Sequence, residues 1–242
     1  MVQITKYITK LIGKENKYYD EYIGSSRFKD YILALNYFKK ISKRFNYYFN
    51  KEKFLNFLIF AIWLKIIDDK LDLDYSKGEK YLTYLKMGKI KLTNIENEIT
   101  FALYQITKNN KTFLNSLEKL YYSNETEKTV KSMREYIKIR YNNGKLIAIC
   151  SMKAYDKKAL NNSKYVKFFQ TTMAICNLID SVLDLKEDLK NKQYNFTVTF
   201  IQKIGLIMHT SIKSLSYFLK YPFMISILLN LSWIVFKRNQ KR

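Results

Sequence analysis

Two short acidic runs are the part of this chain best suited to chemistry. The first reads Asp68-Asp69-Lys70-Leu71-Asp72; the second reads Asp180-Ser181-Val182-Leu183-Asp184, with Glu187 and Asp188 close behind. On a helix, residues four apart share a face. Asp68 and Asp72 would then form a carboxylate pair, and Asp180, Asp184 and Asp188 a stripe two turns long. Like charges at that spacing repel, and a helix C-terminus adds the negative end of its dipole. A cation resolves both conflicts. Mg²⁺ prefers carboxylate oxygens, keeps waters and bridges to phosphates. The expected metal ligands are therefore Asp68, Asp69, Asp72, Asp180, Asp184 and Asp188. One such run alone would fit a solvated helix end. Two runs, each ending an apolar helix, would form an acidic cleft when packed face to face.

The elements that must position these residues read as helices throughout. Apolar residues recur at helical spacing over about 3–12, 28–48, 51–72, 77–86, 94–107, 111–121, 125–152, 162–190, 196–220 and 222–237. With 1 Pro and 6 Gly in 242 residues, breakers are too few for a turn-dense β fold. Asn50 is placed to cap the helix that starts at Lys51, Ser123-Asn124-Glu125 to open another, and Pro222 to fit the first turn of the last. No repeat and no Gly/Ser/Pro linker divides the chain. The expectation is an all-α fold with one domain over 1–220, followed by a segment over 221–242. From Tyr221 to Phe236 that segment has no charged residue, and it ends Lys237-Arg238-Asn239-Gln240-Lys241-Arg242. It is short for a membrane span and reads either as a last core helix or as an interfacial tail.

Composition narrows the function classes. Hydrophobic residues make up 48% and charged residues 26%, enough to bury a core. The formal net charge of +22 points to an anionic partner, although the even spread of Lys, Asn, Ile and Tyr also fits compositional drift. Cys150 and Cys176 form neither a CxxC nor a zinc spacing and read as buried free thiols. His209 is the only histidine, so neither a Ser-His-Asp triad nor a multi-histidine metal site is expected. There is no P-loop and no GxGxxG. The N-terminus is amphipathic without the apolar run of a signal peptide, which predicts a cytoplasmic protein that the tail could attach to a membrane.

The acidic runs resemble motifs of the trans-isoprenoid synthase superfamily. Asp68-Asp69-Lys70-Leu71-Asp72 is similar to its first aspartate-rich motif. Asp180 to Asp188 resembles the NxxxDxxED run of squalene/phytoene synthases, with Asp184, Glu187 and Asp188 matching and Asp180 in place of Asn. Its i, i+4, i+8 spacing also resembles the metal motif of class I terpene synthases. Arg140-Tyr141-Asn142-Asn143-Gly144 resembles the arginine-to-glycine helix break with which those cyclases sense diphosphate, and Lys192-Gln193-Tyr194 resembles a basic-x-Tyr sequence. The resemblance covers roughly residues 30–200. It implies an antiparallel helical bundle around a central apolar cavity, and a class I terpene synthase that ionises a farnesyl- or geranylgeranyl-type diphosphate with three Mg²⁺ ions. Asp68, Asp72 and Asp184 are the implied catalytic residues. Arg140, Lys145, Lys190, Lys192 and Tyr194 are the implied diphosphate contacts, and Asn143 and Gly144 the helix break. The chain departs from the coupling enzymes: no arginine pair follows the first motif, and Lys65 stands where squalene/phytoene synthases place an Arg.

Two alternatives stay open. One is a prenyl transferase that couples two prenyl diphosphates. The other is a basic helical protein that binds nucleic acid or a membrane, which leaves the acidic runs unexplained. The terpene synthase reading needs no nucleic acid, and it leaves room for a homodimer.

Overall fold

The structure is a computed structural model that describes residues 2–73, 75–185 and 196–225. Every regular element among them is helical: α1 Val2–Ile12, α2 Tyr19–Gly24, α3 Ser26–Ser42, α4 Lys51–Leu73, α5 Tyr75–Met87, α6 Ile95–Thr107, α7 Lys111–Glu127, α8 Met133–Tyr155, α9 Ser163–Leu183 and α10 Phe200–Lys220. Short 3₁₀ turns cover Lys43–Phe45 and Lys157–Asn161. The protein is all-α, as its periodicity and scarcity of breakers predict. Its contacts divide it into two compact units. One comprises Met1–Asn115 with Cys150–Tyr165, the other Ser116–Ile149 with Val166–Arg242.

The first unit is built on α4, which touches α1, α3, α5 and α6. Between Phe54 and Ile67 it is apolar almost all round, and Phe57, Ile59, Phe60, Ile62, Trp63 and Ile66 are buried. A helix apolar on every side belongs at the centre of its unit. Asn50 caps it: its Oδ1 accepts from the Lys53 N–H at 2.8 Å. Gly13 and Gly88 follow α1 and α5 at φ 74° and 67°, the left-handed geometry that ends a helix and that glycine adopts without a Cβ penalty. At the other end of the unit Tyr47 stacks on Tyr165 with centroids 4.4 Å apart, and the buried hydroxyls of Tyr155 and Tyr165 meet at 2.7 Å. Asp156 accepts from Tyr47 OH at 3.1 Å and pairs with Lys53 Nζ at 2.6 Å.

In the second unit, Val130, Met133, Tyr136, Leu185 and Leu206 form a buried apolar cluster, against which Ile137, Ile139, Val182, Phe196 and Val198 pack. Helix α10 opens with a capping box of Thr199 and Gln202. It docks through Leu206, Thr210 and Tyr217, and Tyr217 OH meets Thr172 Oγ1 at 2.7 Å.

Three sequence expectations need correction. Helix α2 was not foreseen; six residues are too few to show a period. Ser123-Asn124-Glu125 does not open a helix, because α7 continues to Glu127 and α8 begins at Met133. Cys150 is buried, and burial pushes its thiol up to about 12, but Cys176 is exposed. Among the described residues no helix is long and apolar enough to cross a membrane. The segment beyond Ile225, including the basic tail, lies outside the described residues.

Candidate functional site

The first acidic run sits where the burial of α4 stops. Ile66 and Ile67 are buried, and Asp68, next in the chain, is exposed. One turn back, Lys65 Nζ reaches Asp68 Oδ2 at 3.0 Å and Asp69 Oδ1 at 2.9 Å. Burial works to lower the Lys65 ammonium, but the charge of Asp68 and hydrogen bonds to Asp69 and Asp68 outweigh it and hold Lys65 above its ordinary value. Lys70 turns away to Glu96, 2.9 Å distant at the first turn of α6. Asp72 lies on the last turn of α4, and its side chain is outside the described residues.

The second run belongs to a polar network shared by α7, α8 and α9. Its starting point is a close helix contact. A Cβ at Gly144 would lie 2.5 Å from both Ala174 Cα and Met173 O, so α8 can approach the α9 backbone only because residue 144 has no side chain. One turn earlier on α8 and one turn later on α9, Asn177 Nδ2 donates to Arg140 O at 2.6 Å. The Arg140 guanidinium then fans across three partners. It donates through Nε to Ser181 Oγ at 2.8 Å and through Nη2 to Asp180 Oδ2 at 3.2 Å, and it approaches Glu127 Oε1 at 3.5 Å. Asn143, 1% exposed, donates to Asn124 Oδ1 at 2.7 Å and Glu127 Oε2 at 3.0 Å and accepts from Ser123 Oγ. The buried Asn143 amide and the half-buried Arg140 guanidinium are tolerated because both are hydrogen-bonded to neighbouring side chains. The network ends at the surface in Asp180; Asp184, beyond the end of α9, is exposed.

Arg140 and Asp180 are therefore brought together, as are Asp68 and Asp69 through Lys65. The two acidic runs fall in different units. Lys145 stands apart from the Arg140 network: its Nζ lies 4.6 Å from the Tyr141 ring centroid, and Lys213 shares that ring at 5.6 Å. Asp188, Lys190, Lys192 and Tyr194 lie outside the described residues. The helix break expected at Asn143 and Gly144 does not form. α8 runs unbroken from Met133 to Tyr155; Gly144 serves helix packing, and the Asn143 side chain is spent on α7. Glu127, Asn177 and Ser181 are functional candidates that the motif reading passed over. The signal for two of them was present, since Asn177 and Ser181 lie four apart on the face next to Asp180 and Asp184.

Chemically, the exposed donors of both runs are carboxylate oxygens, the type Mg²⁺ prefers. Among the described residues, no three His, Cys, Asp or Glu side chains converge to hold a metal ion. No protein-family model, no curated protein and no solved structure matches the chain.

Proposed function

We propose that this chain is a Mg²⁺-dependent enzyme of the class I terpene synthase type, which ionises an allylic isoprenoid diphosphate and releases diphosphate. The observation that carries the reading is that α4 and α9, both long and each with a buried apolar face, run into outward-facing carboxylates: Asp68 on the first, Asp180 on the second and Asp184 just beyond its end. Carboxylates at the ends of such helices repel one another and oppose the dipole, and they gain most from a cation bound with an anionic substrate.

The donor set fits Mg²⁺ in chemical type. Asp68, Asp69 and Asp72 would supply ligands from α4; Asp180, Asp184 and Asp188 would supply them from the second run. Bound there, Mg²⁺ would neutralise charge growing on the departing diphosphate. Arg140 acts through Asp180: its salt bridge at 3.2 Å and the Ser181 bond fix the carboxylate's direction, which makes it a positioning residue. Lys145, Lys190, Lys192 and Tyr194 remain the candidate contacts for the diphosphate. The many tyrosines and phenylalanines, 21 and 16 in the chain, supply ring faces that suit an allylic cation.

Incubation with geranyl, farnesyl and geranylgeranyl diphosphate, with Mg²⁺ or EDTA, tests the proposal. Extracted hydrocarbon accompanied by Mg²⁺-dependent diphosphate release supports it. A doubled or lengthened chain moves the protein to the coupling transferases. Asp68→Ala and Asp184→Ala should each lower turnover by roughly 100-fold, the scale of losing one preorganised electrostatic group. Unchanged turnover in both variants, or no release from any substrate, sinks the reading.

A further inference from the structure

Helix α10 presents a second surface that the proposed chemistry does not use. Its docking face is made by Leu206, Thr210 and Tyr217. On the opposite side stand Ile201, Ile204, Met208, Ile212, Leu215 and Leu219, each between 40% and 79% exposed. At 100° per residue these six side chains fall within an arc of about 80°, and at 1.5 Å per residue they run for about 27 Å along the axis. They form one unbroken apolar stripe facing outward. Monomers ordinarily leave contiguous apolar surface on the order of a few hundred Å² in water; a larger stripe marks a binding surface.

The charge around the stripe selects the partner. Helix α10 contains Lys203, Lys213 and Lys220 and no acidic residue. The asymmetry extends beyond it. From Leu189 to Arg242 the sequence holds nine Lys and Arg and no Asp or Glu, and the last four of those cations fall within Lys237–Arg242. Residues 1–188 hold all 21 acids, and no stretch among them runs longer than 23 residues without one. An apolar stripe on a helix with cations and no anions on its other faces is the composition of a helix that lies in a membrane interface, and an excess of cations in the same stretch of sequence is drawn to anionic headgroups. A second copy of the chain would bring another +22 of like charge, which opposes self-association through this surface.

We infer that α10 is a membrane-docking helix, which lies in the plane of an anionic lipid surface with Ile201, Ile204, Met208, Ile212, Leu215 and Leu219 in the acyl boundary and its own lysines at the headgroups. The inference is independent of the proposed chemistry, because it rests on the stripe and its charge alone. It places α10 on the membrane rather than through it, consistent with the absence of a spanning helix among the described residues.

The test is flotation of the full chain with vesicles of phosphatidylcholine alone and of phosphatidylcholine with phosphatidylserine. The wild type should float with the phosphatidylserine vesicles, less with phosphatidylcholine alone, and less at high salt. Ile212→Ser with Leu219→Ser removes two exposed side chains and should cut the partition at least about tenfold, since half of the two burials together reaches the roughly 1.4 kcal/mol of a tenfold change. Ile201→Ser with Met208→Ser, elsewhere on the stripe, should do the same. Helix content by circular dichroism should stay unchanged in both. Wild-type protein that floats with neither vesicle overturns the inference, as does flotation that neither double variant alters. A wild-type dimer that the double variants dissociate, without flotation, assigns the stripe to a second copy and overturns it too.

Discussion

Replacing Gly144 by alanine decides whether the α8–α9 contact is the foundation of the polar network. In a solvent-facing helix position that change stabilises by about 1 kcal/mol, because alanine loses less backbone entropy on folding. At position 144 the new Cβ would meet Ala174 Cα and Met173 O at 2.5 Å and Ala174 N at 2.7 Å. Favourable contact between carbons begins near ~3.5 Å, so the helices must part by about 1 Å at this point. All three obstructing atoms are backbone, and no rotamer change relieves them. Overpacking of this kind costs about 1–3 kcal/mol. Set against the propensity gain, the net loss is up to about 2 kcal/mol, or a fall in Tm of up to roughly 8 °C for a chain of this size. The Arg140–Asp180 pair at 3.2 Å, one turn away, would be stretched beyond hydrogen-bond range by the same displacement. A thermal melt paired with a denaturant titration reads the effect. A rise in Tm would refute the reasoning, since it would show Gly144 to be an ordinary helix position and the network to be assembled by something else.

Other expectations follow from single contacts. Tyr165→Phe leaves the buried Tyr155 hydroxyl without its 2.7 Å partner and should cost about 1–3 kcal/mol in denaturant unfolding. Tyr155→Phe added to it should recover part of that loss, and strictly additive losses would contradict the pairing. Glu98 is buried on α6. Desolvation would raise its carboxyl, but hydrogen bonds from Asn16, Tyr19 and Lys14 outweigh this and hold it below its ordinary value. A depressed folded-state pKa gives stability that is complete above the unfolded carboxylate range and is lost as pH falls through the folded value. Acid titration of stability should therefore be shallower in Glu98→Gln; an identical acid limb would show that Glu98 is not a source of it. Lys65→Gln removes the cation shared by Asp68 and Asp69. Metal-free stability should fall by about 1 kcal/mol or less, while Mg²⁺ affinity measured by calorimetry should rise. A fall in affinity would contradict competition between lysine and metal.

How far the sequence could be read depended on whether a residue's role was local. Helix α4 was expected over 51–72 and spans Lys51–Leu73, because its cap, its apolar run and its polar end all lie in adjacent residues. The α7–α8 boundary was misread for the opposite reason. Ser123, Asn124 and Glu125 are ordinary N-cap residue types, yet Ser123 and Asn124 bond to Asn143, some 20 positions away. Gly144 shows the same ambiguity. Glycine permits both a helix break and a close helix approach, and only the neighbour, here Ala174, decides between them. At the candidate site, the carboxylates were legible from spacing. The partners that orient them were not: Glu127 is 13 residues from Arg140, and Asp180 is 40.

Each acidic run is accompanied by a resident cation, and this bears on how a metal could be used. Lys65 spans Asp68 and Asp69; Arg140 holds Asp180 from a position that is only 20% exposed. These partners answer the like-charge repulsion noted in the sequence, so the helices can fold with their carboxylates charged and no metal bound. The two cations differ in kind. Lys65 is a flexible point charge that a divalent ion can displace. Arg140 is fixed by Ser181 and Glu127 as well as Asp180, and the Asp180 side chain is 58% exposed. Under the proposed function the first run would thus exchange its lysine for a metal ion, while the second would present Asp180 to a metal ion of its own without releasing its arginine. A site partly neutralised in advance binds Mg²⁺ weakly alone and more strongly with a diphosphate, whose own oxygens supply ligands. That coupling would keep the metal from being held tightly until the substrate that needs it arrives.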